Sequence, residues 1–218
     1  IIGAGKIADK HLKCLNVLKE FDVKSITSRT QKKAKFLSKK YKIKKIYQTI
    51  DEMFLKEKLD AVAVFVNAEN MYNVLKKIIR YRKIIFFEKP AALTLAETLK
   101  LKKLSKKYKT KSMIGLNRRF YSNFEKGLKF LKKNGGLKGF VVEGHERFWK
   151  IKNKRNRKII KNWIYANSIH TLDLLRFFGG EIKSFKTFSN HNGYSKNFTI
   201  SLKFKNNVIG TYISNWNS

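Results

Sequence analysis

Two stretches of the 218-residue sequence bring together residue types that do chemistry. The first is Gly3-Ala4-Gly5-Lys6-Ile7-Ala8, a G-x-G-x-x-A pattern. In such a loop the first glycine permits a tight turn and the second lets the backbone approach a pyrophosphate. The small residue at the end lets the following helix sit close on its sheet. The backbone N–H groups from Gly5 through Lys6 and Ile7 would then start a helix and hold phosphate oxygens. The alternative is a plain glycine turn between strand and helix. The second stretch, Phe86-Phe87-Glu88-Lys89-Pro90, holds the one proline of the chain. Pro90 restricts Lys89 to extended backbone. Lys89 therefore ends an apolar run, at the place where open α/β sheets bind their ligands. One more lysine in a lysine-rich chain is the plain alternative.

Three further groups are candidates. A dinucleotide-binding loop calls for a ribose-binding carboxylate roughly 20 residues beyond its glycines when the ligand is NAD. The second apolar run ends instead in Ser28-Arg29-Thr30. A guanidinium with flanking hydroxyls suits a 2′-phosphate, so Ser28 and Arg29 predict NADP, with NAD the other candidate. An ordinary surface arginine is the alternative reading. His170 and Asp173 are three residues apart in NSIHTLDLLRFFGG and share one face of a helix. They are either a site or a packing histidine beside a solvated aspartate. Arg118 and Arg119, after Asn117, offer two forks for a phosphate or carboxylate, or for ion pairs between domains.

The elements that must position these residues alternate in the first half. Apolar runs at 23–27, 61–66, 83–89 and 112–117 read as strands, with a weaker one at 45–48. Helical spacing covers 7–19, 31–41, 69–80 and 94–108. Near-continuous apolar strands between helices predict an α/β, doubly wound parallel sheet. After a helix at 122–133 and the turn signal Asn134-Gly135-Gly136, the runs at 139–150, 184–190, 197–204 and 208–214 alternate apolar and polar residues. That pattern belongs to half-buried antiparallel strands. A helix at 166–178, closed by Gly179-Gly180, interrupts them. The second half is thus α+β, and the boundary is drawn at residue 118.

Composition bounds the rest. A hydrophobic fraction of 43% is that of a globular chain. No apolar run approaches the ~20 residues that cross a bilayer, and no membrane partner is expected. No signal peptide is read, and the single Cys14 fits a reducing compartment, so a cytoplasmic protein is expected. No metal site is assigned. The net charge of +35 has two readings. One is a solvated lysine coat spread over every helix. The other is a polyanion surface, for which the cluster from Lys150 to Lys161 is the best place. Either way, non-specific adhesion to nucleic acid is expected at low salt.

The spacing of GAGKIA, SRT, FEKP, NRRF and SIHTLDLLRFFGG resembles the Gfo/Idh/MocA family, the relatives of glucose-fructose oxidoreductase and inositol dehydrogenase. The resemblance runs over essentially the whole chain. It implies a Rossmann domain, here 1–118, and an α+β domain with an open, mostly antiparallel sheet, here 119–218. It implies hydride transfer between a nicotinamide cofactor and a hydroxyl or keto carbon of a sugar, nucleotide-sugar or polyol. By the same resemblance Lys89 lies beside nicotinamide and substrate, Glu88 orients the lysine or the cofactor, and His170 lies beside the sugar. Asp173 binds a substrate hydroxyl, Asn67 offers its amide to the cofactor, and Asn117 and Arg118 stand near both ligands. Lys89 and His170 are expected to converge within a few ångströms of the nicotinamide site.

The sequence departs from the family in two places. Many members carry a carboxylate four residues before the histidine, where this chain has Ala166. Lys89 and His170 then carry the proton work, with Asn167 or Tyr165 as polar help. The family's proline and histidine after the fourth strand are also missing, and Asn67 through Tyr72 stand there. Both termini read as unfinished, which predicts a fragment whose second sheet exposes an unpaired or apolar edge. Homo-oligomers through that sheet are expected of a full-length chain. A cofactor-binding member without catalysis is the second reading, and a basic nucleic-acid-binding protein the third.

Overall fold

The computed structural model describes residues 1–151, 156–192 and 195–217. The chain divides into two compact units, Ile1–Gly115 and Leu116–Ser218. The first holds α1 (Lys6–Leu15), β1 (Ser25–Thr27), α2 (Gln31–Lys40), β2 (Lys45–Tyr47) and α3 (Ile50–Lys56). It continues with β3 (Ala61–Val64), α4 (Ala68–Ile78), β4 (Ile84–Phe87), α5 (Leu95–Tyr108) and β5 (Ser112–Ile114). All its strand pairs are parallel. Ile2 bridges Thr27 on one side and Val64 on the other. The spatial order is therefore β2-β1-Ile2-β3-β4-β5. Ile2 stands where the winding reverses, the place at which such sheets open a ligand crevice.

Apolar spacing explains the layers. Met71, Leu75 and Ile78 of α4 join Met53 of α3 and Leu101 of α5 against Val62, Val64, Ile85 and Phe87. Ala8 and Leu12 of α1 join Ala34 and Leu37 of α2 against Ile26 and Phe65. A sheet buried on both faces needs apolar residues on both sides, hence the near-continuous runs in β3 and β4. The short α3 escapes apolar periodicity. Its signal is Thr49, whose Oγ1 accepts the Glu52 N–H at 3.1 Å, while Glu52 Oε2 accepts the Gln48 N–H at 3.2 Å. Serine or threonine followed three residues on by glutamate marks a helix start.

The second unit holds α6 (Ser122–Lys133), β6 (Gly139–Glu143), α7 (Arg157–Lys161), α8 (Ile169–Gly179), β7 (Ile182–Asn192), β8 (Ser195–Phe204) and β9 (Ile209–Asn215). Its sheet runs β6-β9-β8-β7. The β6–β9 pair is parallel and the other two are antiparallel. Leu174 and Leu175 of α8 pack on Val142, Leu202, Phe204 and Tyr212. The contact is so close that a Cβ on Gly179 would lie 2.4 Å from the Phe204 ring. The sheet is open, with β6 and β7 at its edges, and Val141, Phe188 and Ile209 are exposed on its uncovered face. The helix read over 166–178 is in fact a π-helical turn, Ile164–Ser168, running into α8. The strand read over 139–150 ends at Glu143. Part of the basic cluster from Lys150 to Lys161, residues 152–155, lies outside the described residues. Among the described residues no helix is long and apolar enough to cross a membrane.

Candidate functional site

The glycine loop follows directly from Ile2. Gly3 has φ +101°, and a Cβ there would lie 2.5 Å from the Phe65 carbonyl oxygen. Backbone conformation and space both require glycine at this position. The Gly3 N–H donates to the Thr27 carbonyl at 2.8 Å, which ties the loop to β1. Gly5 is the N-cap of α1 and provides no side-chain cap. A Cβ on Gly5 would meet nothing within 4 Å. The start of α1 therefore has room beside it, where an anion would take the place of the missing cap. Ala8 is fully buried, as close helix-on-sheet packing requires. Lys6 and Ile7 are exposed in the first turn.

A cavity of about 530 Å³ opens beside this loop, within the size range of small-molecule sites. Gly3, Ala4 and Gly5 form one wall, and Phe65, Val66 and Asn67 another. Ser28, Arg29, Thr30 and Lys33 close the side at the end of β1. Asn70, Asn73 and Lys77 line it from α4. Three cations and no carboxylate stand among the described lining residues. Lys77 is paired with Asp51, so Arg29 and Lys33 carry the positive field. The turn that carries Arg29 is braced by Gln31, whose Nε2 donates to the Ser28 carbonyl at 2.7 Å. Thr30, the N-cap of α2, makes no side-chain cap, and the first turn of α2 has no acidic residue. Asn67 donates to Glu69 at 3.2 Å and accepts from Asn70, so its amide is turned toward its own helix. These residues fit a dinucleotide: an uncapped helix start for a pyrophosphate, and an Arg29–Lys33 corner for a further phosphate. Lys33, Asn70, Asn73 and Lys77 are absent from the sequence reading. For α4 the signal is helical spacing, since Asn70, Asn73 and Lys77 follow the N-cap Asn67 on one face; Lys33 lies in the first turn of α2, just after the turn that carries Arg29.

The Glu88-Lys89-Pro90 turn follows β4. The Lys89–Pro90 peptide is cis. The Glu88 N–H donates to the Val64 carbonyl at 3.1 Å, and the Gly115 N–H donates to the Phe87 carbonyl at 2.8 Å. Glu88 Oε1 lies 2.8 Å from His11 Nε2 of α1. The His11 ring stacks on Phe65 with centroids 4.3 Å apart. Lys89 is half-buried, and neither it nor Glu88 lines the cavity. His11 is also missing from the sequence reading. It follows Ala8 by three residues and precedes Leu12 by one, which places it on the sheet-facing side of α1.

In the second unit, Asn117 to Phe120 form a 3₁₀ turn in which Asn117 is exposed and Arg118 half-buried. Arg119, not Arg118, makes the two-point contact. Its Nε donates to Asp173 Oδ2 at 2.6 Å and its Nη2 donates to Oδ1. The hydrogen bond to Asp173 raises the Arg119 guanidinium above its ordinary value. Asp173, read as a ligand for a substrate hydroxyl, thus has both oxygens engaged by Arg119, and its side chain is 11% exposed. His170 is half-buried in the first turn of α8. Asn167 Nδ2 donates to Glu146 Oε2 at 2.8 Å, and Ser168 Oγ donates to Glu146 Oε1 at 3.0 Å. A carboxylate from beyond β6 therefore meets the turn in which the helix itself has Ala166. Nothing in the local sequence pairs Glu146 with a turn some 20 residues away.

Comparison with known proteins bears on the family and the fold. Residues 1–116 match the model of the family described as "Oxidoreductase family, NAD-binding Rossmann fold". The myo-inositol 2-dehydrogenase of Thermotoga maritima is 27% identical over 137 residues, which are 63% of this chain and 41% of that protein. The matched part thus spans about two fifths of that curated relative. The structure of a myo-inositol dehydrogenase from Corynebacterium glutamicum superposes with a TM-score of 0.81 at 17% identity, over 100% of this chain and 67% of that one. An oxidoreductase from Agrobacterium radiobacter, solved with NAD+, L-tartaric acid and magnesium, gives 0.81 at 17% identity, over 99% and 65%.

Proposed function

This chain belongs to the Gfo/Idh/MocA oxidoreductase family, with its NAD-binding Rossmann fold, and from that premise we propose that it is a nicotinamide-dependent dehydrogenase with NADP as its preferred cofactor. Its substrate is a sugar, nucleotide-sugar or polyol, reacting at a hydroxyl or keto carbon. The observation that carries this reading is the cavity beside the glycine loop, lined by Arg29 and Lys33 and by no carboxylate among the described residues. A bound nicotinamide supplies the acceptor or donor for a hydride. This chain's residues do the rest. The backbone from Gly3 to Ile7 holds the pyrophosphate, and Ser28 and Arg29 hold the 2′-phosphate. Asn67 stands on another wall of the same cavity. Lys89 handles the proton: as a hydride leaves the carbinol carbon, the hydroxyl proton passes to a positioned base, and in reverse it is returned. His170 is the second polar group assigned to the reacting sugar, with Asn167, Asn117 and Arg118 as binding groups.

Equilibrium titration with NADPH and NADH, each at low and high salt, tests the reading. Tighter binding of NADPH that survives salt is expected. A preference for NADH overturns the assignment of Ser28 and Arg29, and binding of neither overturns the whole reading. Lys89→Met is expected to keep NADPH binding and to lose turnover on a panel of polyols and sugars. A second reading, a member that binds cofactor without turnover, is favoured by Ala166 and by the hold of Arg119 on Asp173. It predicts NADPH binding with no oxidation of any sugar by the wild-type chain.

A further inference from the structure

We propose that His11 is a positioning residue for Lys89, acting through Glu88; this rests on the dinucleotide-binding reading above. The tie spans 77 residues of sequence and joins α1, directly after the glycine loop, to the end of β4. A carboxylate only accepts, so the hydrogen of this contact sits on His11 Nε2. The imidazole has little freedom. Phe65 stacks on it at an interplanar angle of 11°, and Phe86 meets it edge-on with centroids 5.5 Å apart. Phe65 is itself a wall of the cavity.

The space beside Glu88 is also close-fitting. A Cβ on Gly115 would lie 3.3 Å from Glu88 Oε1, so the buried Gly115 leaves just the room this carboxylate occupies. The Glu88 side chain is 20% exposed and that of His11 32%. Lys89 follows Glu88 directly, at a bend beyond β4, and the following proline narrows the backbone open to it. Fixing Glu88 against α1 therefore fixes the stretch of backbone from which Lys89 leaves the chain. Stability alone is a poor reason for such a pair. A half-buried polar pair between phenylalanines is matched or bettered by apolar residues of the same volume, whereas a directional hydrogen bond fixes orientation.

The test uses the full chain, NADPH as the probe, and the acylation rate of Lys89 read by mass spectrometry. NADPH is expected to slow acylation of Lys89 in the wild type. His11→Phe keeps the stack on Phe65 and removes the donor; Glu88→Met keeps the volume and removes the acceptor. Each is expected to reduce the protection of Lys89 by about tenfold, the lower end of what loss of a supporting contact does to a supported group. The affinity for NADPH is expected to change less than about threefold, because the phosphate contacts are untouched. His11→Gln, which keeps an N–H at the same reach, is expected to restore protection. The double variant leaves no polar group unpaired and is expected to fold even where a single variant does not. Wild-type protection in the folded double variant, or its loss in His11→Gln, overturns the inference. Failure of the wild type to bind NADPH overturns the dinucleotide reading instead. The ligand-free acylation rate of Lys89 then decides the positioning role: it is expected to differ between wild type and double variant, and equal rates overturn the role.

Discussion

Replacing Arg29 with alanine separates a cofactor phosphate site from a merely basic surface. Arg29 and Lys33 line the cavity beside Ser28 and Thr30, and Lys77, the third cation, is paired with Asp51. NADPH differs from NADH by one 2′-phosphate, which carries a charge of about −1.5 to −2 at neutral pH. A hydrogen bond to a charged group contributes about 1.5–3 kcal/mol. Arg29 is exposed, so the lower end applies, and Arg29→Ala is expected to weaken NADPH binding by about tenfold. Lys33 is a point charge; at 4 Å in a water-like medium it contributes about 1 kcal/mol, or about fivefold. NADH lacks the phosphate, and its affinity is expected to stay within about twofold in both variants. The assay is fluorescence titration of wild type, Arg29→Ala and Arg29→Ala/Lys33→Ala, each at about 0.15 M and 1 M salt. Salt shortens the screening length from about 8 Å to about 3 Å. The contribution of Lys33 should therefore fall more than that of the forked Arg29. A parallel loss of NADPH and NADH affinity would refute the reasoning, because the arginine would then serve the pyrophosphate or the general field. An unchanged NADPH affinity would refute it equally.

Gly3→Ala is expected to destabilise the first unit by about 3 kcal/mol, measured by urea unfolding, because it adds left-handed strain and a Cβ 2.5 Å from the Phe65 carbonyl oxygen. Gly179→Ala drives a methyl group into the Phe204 ring at 2.4 Å and is expected to cost about 1–3 kcal/mol by the same measurement. Arg119→Ala leaves the carboxylate of Asp173 in a site where it is 11% exposed. A loss of about 2 kcal/mol is expected, below the range for a fully buried pair because Arg119 is itself 38% exposed. Hydrogen bonds from Lys45 and Tyr47 hold the Glu57 carboxyl below its ordinary value of 4.5. Its folded value is depressed, so its contribution is present above pH 4.5 and is lost as pH falls through the lowered folded value. Glu57→Gln should therefore flatten the acid limb of a stability-against-pH curve, and an unchanged limb would dismiss the assignment.

What the sequence made legible was local. The glycine loop, the Ser28-Arg29 corner and the end of β4 are short patterns whose conformation follows from their own residues, and all were readable as such. Ile2 lies at the centre of the sheet, as the winding of alternating strands and helices requires of a segment just before the glycine loop. Partner choice was not legible. His11 and Glu88 are 77 residues apart, and Arg119 and Asp173 are 54 apart. Both members of the second pair stood out in the sequence, Arg119 for an anion or an ion pair between domains and Asp173 for a substrate hydroxyl, and they bind each other within one unit. The composition gives the reason. With 50 cations and 15 carboxylates, a carboxylate finds a cation readily. Asp9 takes Lys40, Asp22 takes Lys24, Glu125 takes Lys129 and Glu181 takes Arg176. Glu88 and Glu146 take their hydrogen bonds instead from a histidine, an amide and a hydroxyl. In a chain this basic, folding alone supplies lysine partners in abundance. A carboxylate held by a ring nitrogen, an amide or a hydroxyl is held by directional hydrogen bonds, and both of these carboxylates lie beside the segments that carry Lys89 and His170.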